Sequence, residues 1–420
     1  MQAVVMAAGI SSRFYPFRSF SHKSLVSIMG KPVIVHALES LAKVDIREVL
    51  IVVSPDSSIP ALLGNGGQYG VKIKYIVQEN PSGAGDGLLL AGEFIKGDFF
   101  LMNASRIDID QFAKSMIAKK KGGAKAVLLG KKQEKLGKYG VLRIEGDKVL
   151  DLIEKPEKGK EPSDLRLIGI YLFDKDFLKI LSQTNVGHYS LEEAIANFAK
   201  KEDVRIALTD RSVPSLKYAW DLLDLKNSLL SNSKGVKISK SAKIAKSAEI
   251  MGDVVIDDSA QILEGAIIKG SCYIGKKSMV GTNAIVRDGT SIEENCVIGA
   301  NMEIKNSLVM KNTKVHSGFI GDSVIGESVR IGADFHIGNK RLDRKSVIVT
   351  SPEGLQVDTG LEALGVIIGN NVRIGIKSSA MPGIIIGENS VVGPSTTVLK
   401  NVPPDSKYYT KFQEVVTKNK

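Results

Sequence analysis

Aliphatic residues recur at every sixth position through the second half of this 420-residue chain. The series has no gap from residue 238 to residue 304: Ile238, Ile244, Ile250, Ile256, Ile262, Ile268, Ile274, Val280, Val286, Ile292, Ile298 and Ile304. Four residues after each of these, the side chains are nearly all small: Ala242, Ala248, Val254, Ala260, Ala266, Cys272, Ser278, Ala284, Thr290, Cys296 and Met302. An unbroken repeat predicts stacked units that together bury one continuous core. We predict a three-sided prism with about six residues per face, aliphatic residues inside and small residues at the tight corners.

This hexapeptide pattern resembles the left-handed parallel β-helix, which we expect over residues 235–402. The phase breaks at residues 311–318 and resumes at Phe319, and an aperiodic insertion lies near residues 338–365. Residues 403–420 are expected to form a C-terminal tail. Because a solenoid has flat faces and ends that need cover, we expect a homo-oligomer. The resemblance implies a trimer.

The first half, residues 1–230, has a different pattern. Short β-type runs such as 49–53 and 99–102 alternate with helical stretches such as 32–42 and 109–119. Alternation of this kind predicts an α/β domain with a Rossmann-like, mostly parallel sheet covered on both faces. Ligands of such sheets bind beyond the carboxyl ends of the strands.

Composition narrows the classes of partner. The chain has 57 Lys and Arg against 46 Asp and Glu, a net charge of +11 that suits anionic ligands such as nucleotides and sugar phosphates. The basic residues are scattered without interleaved aromatics, so we expect no nucleic-acid partner.

No apolar run is long enough for a membrane span, and the N-terminus lacks a signal-peptide pattern, so we expect a cytoplasmic protein. Cys272 and Cys296 are expected to be structural corner residues.

A candidate phosphate-binding loop follows the first predicted strand. Ala7, Ala8 and Gly9 are small, so backbone N–H groups can approach a phosphate chain closely. Arg13 and Lys23 can add charge-assisted hydrogen bonds to the same phosphates.

Several motifs give the first half a resemblance to the sugar-1-phosphate nucleotidyltransferases. The family's Ala-Ala-Gly-x-Gly-x-Arg loop corresponds to residues 7–13, and its Pro-Lys pair has become His22-Lys23. The motifs that follow, in the family's order, are Gln78, Gly83-Ala84-Gly85, Tyr139-Gly140-Val141, Glu154-Lys155-Pro156 and Gly169-Ile170-Tyr171. The resemblance implies attack by a sugar 1-phosphate on the α-phosphorus of a nucleoside triphosphate, with pyrophosphate leaving.

The resemblance also implies roles for individual residues. Gln78 and Gly83 would bind the nucleotide, and Gln78 would favour UTP or dTTP because its amide offers both a donor and an acceptor. Gly140, Glu154 and Lys155 would bind the sugar phosphate, with Glu154 on a sugar hydroxyl and Lys155 on the phosphate. Arg13 and Lys23 would act in catalysis.

The chain departs from the family at the residues that hold Mg²⁺. The resemblance places an aspartate at position 105 and another at position 215, and both are serines here. A neutral serine is a poor Mg²⁺ ligand beside a carboxylate. We therefore expect no regular metal site, and metal-assisted catalysis is weakened or lost.

The whole chain resembles the bifunctional N-acetylglucosamine-1-phosphate uridylyltransferases/glucosamine-1-phosphate acetyltransferases, especially their archaeal two-domain members. In that family the β-helix acetylates an amine, with acetyl-CoA as co-substrate and a histidine as base. His316 matches the base and Asn339 a family asparagine, whereas the family's nearby tyrosine is Phe319 here.

Three functions stay open on the sequence. The first domain is an active nucleotidyltransferase with an atypical metal site; or the chain is a non-catalytic regulatory paralogue that binds nucleotide and sugar phosphate; or the β-helix is an acyltransferase and the first domain only positions it.

Overall fold

The computed structural model describes residues 1–80, 82–133, 136 and 139–418. Two compact units make up the chain. The first comprises Met1–Ser11, Ser21–Val26 and Pro32–Ser215, and the second comprises Ser12–Phe20, Ser27–Lys31 and Leu216–Lys420. The helix that ends the predicted first domain therefore groups with the second unit. The last two residues of the predicted tail lie outside the described part.

The elements up to residue 231 alternate strands and helices. The strands are β1 (Gln2–Ala7), β2 (Ser27–Ile28), β3 (Lys31–Pro32), β4 (Glu48–Val53), β5 (Lys72–Val77), β6 (Phe99–Asn103), β7 (Ala126–Lys132), β8 (Gly140–Glu145), β9 (Lys148–Glu154), β10 (Leu165–Phe173) and β11 (Val204–Leu208). The helices are α1 (Val33–Lys43), α2 (Ile59–Leu63), α3 (Ala84–Gly92), α4 (Ile109–Lys121), α5 (Phe177–Ser182), α6 (Ser190–Lys201) and α7 (Asp221–Ser231). Short 3₁₀ turns lie at Ser12–Phe14, Lys23–Leu25 and Gly67–Tyr69.

Nine strands of the first unit form one sheet in the order β5-β4-β1-β6-β10-β7-β11-β9-β8. The four strands β5, β4, β1 and β6 are parallel, as is the pair β7–β11. Strand β10 runs antiparallel to β6 and β7, and β8 and β9 form an antiparallel hairpin. Only Gly146 and Asp147 connect β8 to β9, and Gly146 has a φ of 60°, so the connection is too short for a parallel crossover.

Two apolar layers cover this sheet. Residues of α1 and α4 pack with one face, including Leu38, Leu41 and Phe112. Residues of α3, α5 and α6 pack with the other face, including Leu88 and Phe198. The α/β layering predicted from the alternating pattern is confirmed, and the parallel strands β1 and β6 end side by side at one edge.

The second unit stacks short strands into three parallel sheets. The first sheet contains Lys237–Ile238, Val254–Ile256, Cys272–Ile274, Ser291–Ile292, Leu308–Val309, Val324–Ile325, Ile367–Ile368 and Ile385–Ile386. The second contains Lys243–Ile244, Gln261–Ile262, Met279–Val280, Val297–Ile298, Lys314–Val315, Arg330–Ile331, Arg373–Ile374, Val391–Val392 and Lys407–Tyr408. The third contains Glu249–Met251, Ile267–Lys269, Ile285–Arg287, Met302–Lys305, Gly318–Gly321, Phe335–Ile337, Ser379–Ala380 and Thr397–Val398.

The aliphatic series lines the interior shared by the three sheets. Ile274 lies beside Ile292 in the next coil, and both are fully buried. Cys272 and Cys296 are also buried as free thiols, and burial raises their thiol pKa values to about 11 and about 12. Their burial agrees with the expected corner role.

The break in the six-residue spacing begins before residue 311, earlier than the sequence predicted. After Ile304 the buried residues are Val309, Val315, Ile320 and Ile325, so the spacing shortens to five at three of these steps. The interior residue is Ile320 rather than Phe319, whose ring lies against Gly321. The coil continues through the break because single residues are lost at corners while the strands keep their pairing, for example Ile304 with Ile320.

Strand pairing in the first sheet of the second unit skips the insertion. Val324 pairs with Ile367, and the intervening residues include an antiparallel hairpin of Ile348–Thr350 with Gln356–Asp358. Strand pairing also extends past residue 402, because Lys407–Tyr408 pairs with Val391–Val392. This part of the predicted tail therefore adds one more strand to the second sheet of the second unit.

None of the helices in the described chain is long and apolar enough to cross a membrane.

Candidate active site

The predicted phosphate loop leaves the carboxyl end of β1. Ala7 and Ala8 are buried, and a Cβ on Gly9 would meet no atom within 4 Å. Ser11 has a φ of 55°, and its hydroxyl accepts a hydrogen bond from the Lys23 backbone N–H at 3.3 Å. The structure therefore brings Lys23 to the loop and leaves open space beside Gly9.

His22 is a structural cap. Its Nδ1 accepts hydrogen bonds from the Ser24 backbone N–H at 3.2 Å and from the Ser24 hydroxyl at 2.7 Å, so the neutral ring carries its proton on Nε2. Burial, and secondarily the charge of Lys23, lowers the His22 pKa to about 3. The residue that replaces the family's proline thus fixes the start of the turn that carries Lys23.

Gln78 is buried at the end of β5. Its amide nitrogen donates to the Gly83 carbonyl at 3.1 Å and to the Asp86 carboxylate at 2.7 Å. Both partners are acceptors, so they fix the orientation of the amide. The expectation that Gln78 offers a ligand both a donor and an acceptor is therefore wrong for the donor, which is engaged within the domain, and Oε1 is the side-chain group left for a ligand.

The segment 187–190 contacts both predicted halves of the site. A Cβ on Gly83, which has a φ of 136°, would lie 2.9 Å from the Gly187 carbonyl, so only glycine fits there. At the other end of the segment, the Tyr189 hydroxyl accepts a hydrogen bond from the Lys155 Nζ at 2.8 Å. The structure thus brings Gly83 and Lys155 to one segment.

Glu154 lies at the end of β9 opposite Gly140. The two residues are register partners in the hairpin, and a Cβ on Gly140 would be 2.8 Å from the Glu154 Oε2, so glycine makes room for the carboxylate. Burial raises the pKa of Glu192, and the charge of Glu154 adds to that rise. Burial also raises the Tyr171 pKa, with Glu192 and Glu154 acting in the same direction.

The segment after β6 carries Ser105. Its first residues join the phosphate-loop strand, because the Ala104 N–H donates to the Met6 carbonyl at 3.0 Å. Ser105 is buried, and so are Arg106 and Asp108. Both carboxylate oxygens of Asp108 are buried without a hydrogen-bond partner in the structure, and burial raises the pKa of this group.

The described residues lack the two aspartates that hold the metal in the family pattern, because serines stand at positions 105 and 215. They contain no group of three or more His, Cys, Asp or Glu side chains placed to hold an ion. Two other aspartates are engaged: Asp110 accepts from Ser40, and Asp221 accepts from the backbone N–H groups of Lys217 and Tyr218. Ser215 is half-buried and supplies only a hydroxyl.

Arg13 belongs to the second unit. It lines a pocket of that unit with Ser12, Tyr15, Tyr218, Trp220, Val349, Ser351, Pro352, Glu353, Val357 and Ile385. The Tyr218 and Trp220 rings are stacked there, with centroids 4.3 Å apart. The predicted catalytic role of Arg13 on the triphosphate stays a prediction.

The two acyltransferase candidates have different surroundings. His316 is exposed, and its ring has no hydrogen bond to a residue in the described ranges. The Asn339 amide donates to the Asp322 carboxylate at 2.5 Å, and Asp322 also accepts from Asn306 at 2.7 Å. Asn339 is thus committed to a polar network of the solenoid, whereas the His316 side chain is available.

Comparison with known proteins follows the same division of the chain. The family model described as "Nucleotidyl transferase" matches residues 2–224, more than half of the chain. The chain belongs to the nucleotidyl transferase family. A second model, the "GMPPB C-terminal domain", matches residues 268–402 of this nucleotidyl transferase, within the solenoid.

Two relatives that match over nearly their full length, and a third that matches in part, support the resemblance. A protein named "Bifunctional protein GlmU" from Methanococcus maripaludis is 36% identical over 426 residues, with 100% of both chains covered. A "Bifunctional sugar-1-phosphate nucleotidylyltransferase/acetyltransferase" from Sulfurisphaera tokodaii is 31% identical over 96% of this chain and 98% of its own. A "Glucose-1-phosphate thymidylyltransferase" from Streptomyces antibioticus is 34% identical over 41% of this chain and 49% of its own. The resemblance read from the motifs is confirmed.

Four candidate site residues escaped the motif search. Asp86 orients Gln78, Tyr189 binds Lys155, Glu192 lies near Glu154, and Arg106 follows Ser105. Only Arg106 had a local signal, since it adjoins a position where the chain departs from its family. The other three are recognisable only once the fold brings distant segments together.

Proposed function

We propose that the first domain transfers a nucleotidyl group from a nucleoside triphosphate to a sugar 1-phosphate and releases pyrophosphate. The observation that carries the proposal is the segment 187–190, which contacts Gly83 on the predicted nucleotide side and Lys155 on the predicted sugar-phosphate side. Two substrates held on either side of this segment can react without a covalent enzyme intermediate, because alignment supplies much of the rate.

Gln78 supports a preference for UTP or dTTP. With its amide N–H groups donated to Gly83 and Asp86, Gln78 offers a ligand only the acceptor Oε1. The N3–H of uracil or thymine can donate to this oxygen. The ring N3 of cytosine and the ring N1 of adenine are acceptors, so these bases could donate to Oε1 only through their exocyclic amino groups.

In the proposed reaction, a phosphate oxygen of the sugar 1-phosphate forms a bond to the α-phosphorus, and the bond from that phosphorus to the β-phosphate oxygen breaks. Lys23 beside the loop and Lys155 would offset phosphate charge. Glu154 would accept a hydrogen bond from a sugar hydroxyl, and Gly140 keeps the space for its carboxylate. The donor set of the described chain gives no basis for routing a step through a metal ion.

The test is pyrophosphate release from UTP or dTTP with glucose 1-phosphate or N-acetylglucosamine 1-phosphate. We expect release with at least one pair, a loss of at least tenfold in kcat/KM in Lys155→Ala, and no change in Lys158→Ala, which removes an exposed lysine nearby. Equal rates in Lys155→Ala and wild type would contradict the assigned role of Lys155.

A regulatory paralogue is the second candidate, and one observation favours it: serines stand at positions 105 and 215, and no acidic cluster replaces them among the residues described. It predicts that both substrates bind and that no pyrophosphate is released. In that case, the double variant Ser105→Asp, Ser215→Asp should gain Mg²⁺-dependent turnover. No gain would contradict the alignment of these positions with metal ligands.

For the second unit we propose a left-handed parallel β-helix that assembles as a trimer and has acetyltransferase activity with acetyl-CoA. The exposed His316 ring supports the activity, whereas the engaged Asn339 amide does not. Acetyl-CoA consumption with glucosamine 1-phosphate tests it. An unchanged rate in His316→Ala would remove the base role from this residue, and size measurement by light scattering tests the trimer.

A further inference from the structure

Arg106 places a positive charge at the edge of the sheet where the phosphate loop begins. It follows β6, whose Asn103 lies beside Met6 of β1 in a parallel pairing, and the turn is fixed by the Arg106 N–H donating to the Asn103 carbonyl at 2.9 Å. β1 continues into the Ala7–Ser11 loop from this same edge. Arg106 and the Ala7–Ser11 loop therefore follow neighbouring strands at the same end of the sheet.

The Arg106 side chain is buried but unpaired. Only 5% of the residue is exposed, and within residues 1–80, 82–133, 136 and 139–418 its guanidinium has no hydrogen bond and no ion pair. Its nitrogens are not among the fully enclosed side-chain atoms that lack a partner, so they keep contact with solvent. A guanidinium carries five N–H donors and cannot lose its charge, so a nearly buried arginine with accessible nitrogens can bind a ligand that supplies acceptors. Buried arginines are normally paired.

The neighbours of Arg106 define which ligand would fit. Its charge acts on Tyr171 and on Asp108, but neither forms a hydrogen bond or ion pair with it. Tyr171 is the register partner of Leu101 on β6, the strand that precedes Arg106, and its pKa also responds to the charges of Glu154 and Glu192. A phosphate ester provides the planar pair of oxygens that a guanidinium binds in a bidentate way.

We propose that Arg106 takes over, as part of the chain, the neutralisation of substrate phosphate that a divalent cation would otherwise provide. The inference rests on the proposed function for the identity of the ligands, which are the phosphates of a sugar 1-phosphate and a nucleoside triphosphate. It accounts for two observations together: the described residues lack a group of three or more potential metal ligands, and they include a nearly buried arginine whose guanidinium pairs with none of them. Its consequence is phosphate binding that does not depend on divalent ions.

Wild-type protein gives the first test, so no variant needs to fold. Calorimetric titrations with UTP alone and with glucose 1-phosphate alone are compared in EDTA and in excess Mg²⁺. We expect the Kd for at least one probe to agree within about threefold between the two media. Binding of both probes that disappears in EDTA overturns the inference.

Variants then assign the effect to the guanidinium. Arg106→Gln should weaken at least one probe by tenfold or more in EDTA, and Arg106→Lys should weaken it less, since a charge-assisted contact is lost or reduced. Arg143→Gln is the matched control, because Arg143 is exposed and lies 3.7 Å from Asp151. Unchanged binding in a folded Arg106→Gln variant, checked by circular dichroism, overturns the inference.

A competing explanation is that Arg106 only offsets the buried Asp108 carboxylate. The double variant Arg106→Gln, Asp108→Asn separates the two. If binding returns to the wild-type value, the role of Arg106 is structural and the inference is overturned; if binding stays weak, a direct phosphate contact is supported. Pyrophosphate assays distinguish this inference from the proposed function: probes bound in EDTA without turnover contradict only the function, and turnover with binding lost in EDTA contradicts only this inference.

Discussion

Acidification should destabilise the first domain through His22. In the folded chain this ring is buried, accepts two hydrogen bonds from Ser24 and has a pKa of about 3, whereas the unfolded ring has the ordinary value of 6.5. Between these values the unfolded chain binds a proton that the folded chain does not. Stability from this residue is therefore complete above pH 6.5 and declines as the pH falls toward 3.

The magnitude follows from the interval between the unfolded pKa and the working pH. At pH 5 the interval is 1.5 units, and at about 1.4 kcal/mol per unit the loss relative to pH 8 is about 2 kcal/mol. His22→Asn removes the titration while keeping an acceptor at a similar position, since asparagine is a good N-cap residue. Its free energy of unfolding should fall by about 2 kcal/mol less than that of wild type between pH 8 and pH 5.

Peptide-resolved hydrogen exchange in urea can follow the first domain alone, through peptides that contain β1 and β6. His316→Asn is the control, because it removes an exposed histidine from the solenoid and should leave the pH dependence of those peptides unchanged. The reasoning fails if His22→Asn and wild type lose the same free energy within about 0.5 kcal/mol. In that case the folded ring is not held neutral at pH 5.

Three further results follow from packing and from the nucleotide site. Gly9→Ala should leave stability within about 1 kcal/mol of wild type, because the new Cβ meets nothing within 4 Å, but should weaken UTP binding measured by calorimetry if phosphates approach there. Gln78→Glu should raise the UTP Kd at least tenfold, since it replaces two donors by a carboxylate beside Asp86, whereas Gln183→Glu on the surface should not. Ile274→Ala should cost about 2–5 kcal/mol in unfolding followed by fluorescence of the single tryptophan, whereas Ile238→Ala, at an exposed position, should cost under about 1 kcal/mol.

The solenoid was largely predictable because one physical rule repeats along it. A residue such as Ile274 must be buried in every coil, so a period of six is visible in the sequence. The register after Ile304 was not predictable, since a corner can lose one residue without changing which side chains face inward on the next strand. Because of such shortened corners, Ile320 faces the interior in place of the expected Phe319.

The placement of short local motifs was predictable: the Ala7–Ser11 loop follows β1, and Glu154 ends β9, whereas the roles of these residues stay predictions. The site was not predictable where function depends on partners brought from afar. The pairing of Lys155 with Tyr189 joins residues 34 positions apart, and the burial of Arg106 depends on how the turn after β6 packs. His22 is a third case. It departs from the family's Pro-Lys pair, but its side chain caps the start of the 3₁₀ turn Lys23–Leu25.

The most direct test of nucleotidyl transfer is isotope exchange of labelled pyrophosphate into UTP in the presence of the UDP-sugar. Exchange detects bond making and breaking at the α-phosphorus even when net turnover is slow. We predict label in UTP that depends on the sugar nucleotide and falls at least tenfold in Lys155→Ala. Bound UDP-sugar and bound pyrophosphate without any label entering UTP or dTTP would contradict the account and identify the chain as a binding protein.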